Sequence, residues 1–405
     1  MQNLTEKWNP VLNHEDAPKI TDSYRAGVTA QLLENTAVSL KEQNLMEVNS
    51  TGNIPTSTVG GQFDPILISL VRRSMPNLIA FDVAGVQAMK SPTGLIFALQ
   101  PKYSPGASSE SDAFVTGLTG ANAIQTSFSS GGAKGFTGTG ISTATGESTV
   151  SGEMGFDIVR TSVVAKTRQL KSGYTLELAQ DLKAVHGLDA ETELANILTT
   201  EILAEINREV IGTINAAAQS AGSFSLVTDA DGRWAVEKFK SLAFKLEQEA
   251  NTIAKRTRRG KGNIIICSSN VASALAASGQ LDYAPGLSTK LNVDDTGNTF
   301  AGVLNGRLKV YVDPYATTDY VTIGFRGTNQ YDAGLFYCPY VPLQMVRAVD
   351  PTTFQPAIAF KTRYGIVANP FVEAYDATYK GLSNATNPYY RTLSVSGINV
   401  GEQNT

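Results

Sequence analysis

The stretch DAETELANILTTEILAEINREVIGTINAAAQ, Asp189–Gln219, limits what this chain can become more than any other segment. Leu194, Leu198, Ile202, Ile206, Val210 and Ile214 recur at every fourth residue, and Ile197 and Leu203 widen the stripe. That is the period of one apolar helix face. Asp189 stands where an N-cap belongs, and Glu191 and Glu193 fall in the first turn, at the positive end of the helix dipole. At ~1.5 Å per residue such a helix is about 46 Å long. Few ordinary domains need a rod of that length, whereas a structural protein does.

The second constraint is the stretch Ser104–Gly155, where 29 of 52 residues are Gly, Ser or Thr. A connection this long is either functional or without fixed structure. It lies between TGLIFALQ (Thr93–Gln100) and FDIVRTSVVAKTRQL (Phe156–Leu170). In the latter, Phe156 and Ile158 alternate around Asp157, and Val159, Val163 and Val164 add β-branched bulk, so both flanks read as strands. Two strands leading out and back make a long protruding hairpin, with Lys134 and Phe136 near its tip.

The glycines of SSGGAKGFTGTGISTATGES (Ser129–Ser148) suggest a phosphate cradle, but the chemistry fails. A Walker loop requires G-x-x-x-x-G-K-[ST], and the one Gly-Lys pair, Gly260-Lys261, is followed by Gly262. A dinucleotide loop requires a helix directly after its glycines, and Gly140 is followed by β-branched ISTATGEST. Nor does the chain contain GxSxG, HExxH or CxxC. Its two histidines, His14 and His186, are too few and too far from Cys267 and Cys338 for a zinc set, and His186 reads as a residue at a helix C-terminus. Cys267 ends the apolar run NIIIC and reads as a reduced core residue. The sequence assigns no catalytic residue, metal ligand or cofactor.

Charge is modest, −4 overall, so no global basic field marks a nucleic-acid binder. Residues 1–47 hold seven acids against four bases and carry −3 of that total. From Asp22 to Glu47 this arm reads as helix, with Val28, Leu32 and Leu40 on one face, before the breaker-rich NSTGNIPTSTVGG. A charged helix on a loose hinge is a detachable piece. The run MQNLTEKWNP lacks the plan of a signal peptide, and no apolar run approaches a membrane span. One basic cluster, KRTRRGKG, places Lys255, Arg256, Arg258, Arg259 and Lys261 at a helix end. There they oppose the negative end of the helix dipole or contact an anion or an acidic neighbouring subunit. The stretch after Ser223 alternates amphipathic helices with strands such as GNIIIC, GRLKVYVDP and YVTIGF.

Five blocks resemble the major capsid protein of T-even-type myoviruses. They are RSMPNLIAFDVAGVQAMKSPTGLIFAL (Arg73–Leu99), SGYTLELAQDLKAVHGLDAETELANILTTEILAEINREVI (Ser172–Ile211), FAGVLNGRLKVYVDPYA (Phe300–Ala316), NQYDAGLFYCPYVPL (Asn329–Leu343) and FQPAIAFKTRYGIVANPF (Phe354–Phe371). The resemblance implies an α+β, Hong Kong 97-like capsid fold. Its parts would be a cleavable acidic propeptide (1–47), an N-terminal arm (48–90) and an extended hairpin, the E-loop (91–170). A peripheral domain with a spine helix (171–222) and an axial domain (223–340) follow, with a return to the peripheral domain over 341–405. It further implies hexamers in an icosahedral or prolate shell around double-stranded DNA, the E-loop reaching across a neighbouring subunit. The implied partners are copies of itself, a scaffold, a prohead protease, portal and vertex proteins, decoration proteins, and packaged DNA held non-specifically, with no membrane. The family's protease cuts after (I/L)-x-Glu. Leu45-Met46-Glu47 matches that pattern and places the cut between Glu47 and Val48, while Leu32-Leu33-Glu34 also matches but lies mid-helix. The family's type member carries an extra domain between its E-loop strands, for which this glycine-rich stretch is too short. Two other readings are a related pentameric vertex protein and, from another class, an α/β nucleotide-binding enzyme. Nucleotides would raise the melting temperature of the latter, since a ligand specific for the native state stabilises it.

Overall fold

A computed structural model describes residues 2–13, 22–48, 78–103, 154–229, 234–257, 259–282, 299–329, 332–349, 355–369 and 387–398, with 20, 111–112 and 147 besides. Two N-terminal helices come first, α1 (Gln2–Leu12) and α2 (Ser23–Val48). After a short helical turn, α3 (Ala80–Val83), and a two-residue strand, β1 (Gly85–Val86), the chain enters the hairpin. Its arms are β2 (Thr93–Tyr103) and β4 (Met154–Val164), antiparallel from Thr93↔Val164 to Tyr103↔Met154, with β3 (Ser111–Asp112) beside β2. The run that reads as one strand from Phe156 is two: the chain turns at Ala165 into β5 (Lys166–Gly173), which joins a different sheet.

Helix α4 (Leu176–His186) begins at Thr175, whose Oγ1 accepts from the Leu178 amide at 3.3 Å, and ends at left-handed Gly187, φ 67°. Only glycine adopts that backbone without strain, so the helix stops where the sequence places its glycine. The long helix follows as α5 (Ala190–Ala217), 28 residues or about 42 Å. Asp189 occupies its N-cap position, but the carboxylate accepts from the Thr192 hydroxyl at 2.8 Å rather than from an amide. Leu198, Ile202, Leu203, Ile206, Val210 and Ile214 are buried as the period requires. Ile197 departs from it, standing 62% exposed.

Along α5 lie two sheets. The smaller is ordered β1–β12–β13–β5, where β12 is Leu335–Val349 and β13 is Pro356–Ala368. It is tied to α5 at Glu209, which accepts from Arg168 on β5 and from the Tyr364 hydroxyl on β13, with the Arg168 guanidinium 5.4 Å above the Tyr364 ring. The larger sheet is ordered β6–β14–β11–β7–β10–β9–β8. Its strands are β6 (Ala218–Ser225), β7 (Ile264–Ser268), β8 (Leu281–Asp282), β9 (Thr299–Leu304), β10 (Leu308–Asp313), β11 (Tyr320–Gly324) and β14 (Asn387–Ser396). The helices α6 (Ala235–Thr257) and α7 (Ser269–Ala277) pack on it. Ser268 caps α7, accepting from the Val271 amide. β7 is buried at every position and pairs with β10 and β11, as a continuous apolar run demands.

Residues 341–405 divide between the two sheets: β12 and β13 lie in the smaller one, and β14 inserts between β6 and β11 of the larger. The reason is burial on both faces: Tyr389, Tyr390, Leu393 and Val395 are buried, and Arg391 meets Glu249 of α6 at 2.7 Å. A strand of this kind needs neighbours on both edges and cover on both sides. The N-terminal helices also pack more closely than a charged helix on a hinge would. Trp8, Leu12, Val28, Leu32 and Leu33 are buried in the same hydrophobic cluster as Leu78, Phe81, Val83 and Val86.

Both cysteines are free and buried, and burial pushes each thiol from the ordinary 9.0 up to about 12. The folded state therefore favours the neutral thiols. Their contribution to stability is complete below pH ~9 and is lost as pH rises toward 12. At pH 8 the native protein is expected to resist thiol reagents and the denatured chain to consume two equivalents of them. A native thiol that reacts at the denatured rate would contradict the packing of β7 and β12.

Candidate assembly interface

The hairpin's register decides what each face carries. Alternation puts Leu95 and Phe97 of β2 on one side with Phe156, Ile158, Arg160 and Val164 of β4. Ile96, Thr161 and Val163 face the other way and are buried, Ile96 and Val163 in a small core with Met89, Ala165, Phe336, Cys338 and Val367. The hairpin root crosses β13 closely there. A Cβ on Gly365 would lie 2.5 Å from Val163 Cγ2 and 2.9 Å from the Val164 carbonyl. The outer side is different: Phe156 is 69% and Ile158 59% exposed, and Leu95, Phe97 and Val164 are exposed beside them. Folded monomers rarely leave such a run of large apolar groups in water.

A second apolar surface lies on α4. None of its residues is buried. Leu178, Leu182 and Val185 share one helix stripe, with Val185 74% exposed, and Leu176, Leu188 and Ile197 of the adjoining α5 are exposed too. Acids border this surface, since Glu177, Asp181, Glu193 and Glu201 are all exposed. On the hairpin face Arg160 is exposed and supplies the opposite sign. The two surfaces are thus apolar, rimmed by opposite charge, and uncovered within one chain.

The basic cluster is divided by the fold. Arg256 donates to Gln219, Arg259 meets Asp332 at 3.3 Å, and Lys261 pairs with Glu247. Lys255 is exposed, and Arg258 lies outside the described residues. Burial holds Arg256 below the ordinary guanidinium range, with Arg391 nearby adding to the effect. Lys134 and Phe136 also lie outside the described residues. Leu45, Glu47 and Val48 form the last turn of α2, where the backbone lacks onward hydrogen bonds and opens most readily. Leu32, Leu33 and Glu34 lie within that helix, with both leucines buried. Among the described residues no group of acids, histidines and cysteines is placed to hold a metal, and no helix is long and apolar enough to cross a membrane. Sequence reasoning passed over Leu95, Phe97 and the α4 stripe. Their alternation and helical period were readable, but which side stays wet was not.

A family model described as "Major capsid protein Gp23" matches residues 61–395. The chain belongs to that family. The Salmonella phage ViI major capsid protein is 41% identical, covering 96% of this chain and 97% of its own length. The Enterobacteria phage T4 major capsid protein is 36% identical over 98% of both. That alignment spans 518 positions against the 405 residues here, so the T4 protein carries segments this chain lacks. The T4 capsid vertex protein is 31% identical over 55% of this chain. Among solved structures, the capsid of Myoviridae phage XM1 aligns with a TM-score of 0.42 at 11% identity, covering 79% of this chain and 92% of that one. This Gp23-family member is a major capsid protein of a tailed phage, a constituent of the virion shell assembled from copies of itself. The described residues combine helices with three separate sheets, an α+β arrangement. The vertex reading is not favoured, because the major capsid proteins match nearly the whole chain and the vertex protein about half.

Proposed function

We propose that the outer hairpin face of one copy covers the α4 surface of a neighbour, and that six copies close into a capsomer through this contact. The observation that carries the reading is a matched pair of uncovered apolar surfaces: Leu95, Phe97, Phe156 and Ile158 on the hairpin, and Leu178 and Val185 on a helix with no buried residue. Arg160 on one and Glu177 and Asp181 on the other add complementary charge, which orients the encounter more than it strengthens it. Each subunit both offers a hairpin and receives one, so the contact is head-to-tail, the kind that makes a ring when the rotation between neighbours closes. Scaffold, portal, vertex and decoration proteins are the further partners of such a shell, and the packaged DNA meets its inner face without sequence preference. Light scattering and negative-stain imaging of the purified chain test the reading. Six-fold rings, tubes or shells support it, while five-fold rings or a monomer at every salt concentration contradict it.

We also propose that the chain is trimmed between Glu47 and Val48 during maturation. The support is the Leu45-Met46-Glu47 pattern in the terminal turn of α2, and the segment removed carries −3 of the net charge of −4. Mass spectrometry of subunits from mature particles is expected to find Val48 as the first residue. An intact residue 1 there would refute the cut.

A further inference from the structure

Helices α1 and α2 sit on the rest of the chain as a ligand sits on a receptor. Val28, Ala30, Leu32, Leu33 and Ala37 of α2, with Trp8 and Leu12 of α1, share one buried cluster with Leu78, Phe81, Val83 and Val86. Polar contacts fix the pose. Arg25 donates to Asp82 at 2.5 Å, and its guanidinium lies 5.4 Å over the Phe81 ring. Asn35 Nδ2 donates to the carbonyls of both Met89 and Tyr340 at 2.8 Å, while its Oδ1 accepts from Gln31 at 3.1 Å. Met89 directly precedes the hairpin and Tyr340 lies in β12, so Asn35 bridges the hairpin root and the smaller sheet. Lys7 and the Trp8 indole both donate to Glu34, which locks α1 onto α2.

We infer that the body carries a binding site for its own N-terminal helical pair, and that a cut after Glu47 leaves the pair bound. This rests on the trimming proposed above. Hydrolysis adds water across the Glu47–Val48 amide, leaving a carboxylate on Glu47 and an ammonium on Val48. Both new charges lie about 15 Å along the helix from Ala37, the last buried apolar residue among the described side chains of α2, and the contacts above all lie between Lys7 and Asn35. What the cut removes is the tether, which held the pair at high effective concentration. The contacts themselves survive. The second protease match, Leu32-Leu33-Glu34, is closed while the pair is docked: both leucines are buried and Glu34 is engaged by Lys7 and Trp8. Departure of the pair, rather than the cut, is then the event that uncovers Phe81 and Val83 and frees the hairpin root from Asn35.

The test uses the full chain with a recognition sequence for an unrelated endoprotease inserted between Glu47 and Val48. It is therefore independent of where the phage protease cuts, and a failed prediction at Glu47 leaves its outcome intact. After complete digestion, native gel filtration at about 1 µM is expected to return both pieces in one peak, separable only in denaturant. Quantitative separation under native conditions overturns the inference. Val28→Asp is expected to release the fragment on digestion, and retention of that variant would show the binding to be unspecific and overturn the site. Asn35→Ala leaves the apolar contacts in place and guards against a misfolded Val28 variant. It is expected to speed release by about 10-fold or more, because two part-buried carbonyls lose their donor. An unchanged release rate removes Asn35 from the site.

Discussion

Replacing Phe156 and Ile158 together by aspartate is expected to leave the subunit folded and to abolish its assembly. In the single chain both side chains are mostly in water, 69% and 59% exposed, so the melting temperature of the dissociated subunit should shift by no more than about 1–2 °C. In the proposed ring contact the same two positions face a neighbour. Covering a Phe and an Ile stabilises by roughly 3–5 kcal/mol per contact at about 25 cal/mol per Å². Two buried carboxylates reverse that gain and add a desolvation cost of several kcal/mol. The sum exceeds roughly 1,000-fold in each contact, and the defect repeats around the ring. Light scattering should therefore find monomers where the parent chain forms rings or shells. Val185→Asp on α4 should do the same, and mixing the two variants should not restore assembly, since each ring contact needs both faces. Ile96→Asp, on the same hairpin but pointing inward, is expected to unfold the hairpin root instead. Assembly that survives the Phe156/Ile158 change would remove this face from the interface.

Replacing Glu249 by alanine is expected to destabilise the subunit by about 3–5 kcal/mol, because it breaks a buried ion pair from one side. Glu249 is buried on α6 and receives Arg391 Nε at 2.7 Å and Lys245 Nζ at 3.1 Å. Arg391 is itself buried in β14, between β6 and β11, and its Nη1 has no hydrogen-bond partner among the described residues. Without Glu249 a guanidinium remains in the interior with no acid paired to it among the described residues. The double change Glu249→Ala with Arg391→Met removes both charges and should recover most of the loss, because apolar side chains in their place avoid the desolvation cost altogether. Denaturant unfolding of the two single variants and the double variant measures the coupling. If the double variant is as unstable as Glu249→Ala alone, the pair is not what fastens β14 into the sheet.

The spine helix could be read directly because its evidence is local. A residue at i sees i+4 on the same helix, so the leucine and isoleucine repeat predicts both the helix and its buried stripe. The Thr175 cap and Gly187 stop work over three or four residues for the same reason. The hairpin arms and the buried β7 were legible on similar grounds. Lengths, periods and spacings belong to the chain alone.

Facing is another matter. Ile197 fits the stripe of α5 yet stands in water, and Phe156 and Ile158 alternate like core residues while the core lies under Ile96 and Val163. The basic run from Lys255 reads as one patch, but Gln219, Asp332 and Glu247 arrive from other parts of the chain and divide it. Helix α2 is buried against Phe81 and hydrogen-bonded to Tyr340, 305 residues from Asn35, which no local pattern in the arm announces. The C-terminal strand joins the larger sheet because Tyr389, Tyr390, Leu393 and Val395 are buried there, between strands distant in sequence. Periodicity determined what each segment is. What each side chain meets was decided by contacts between residues far apart in sequence, and those exist only once the tertiary structure has closed.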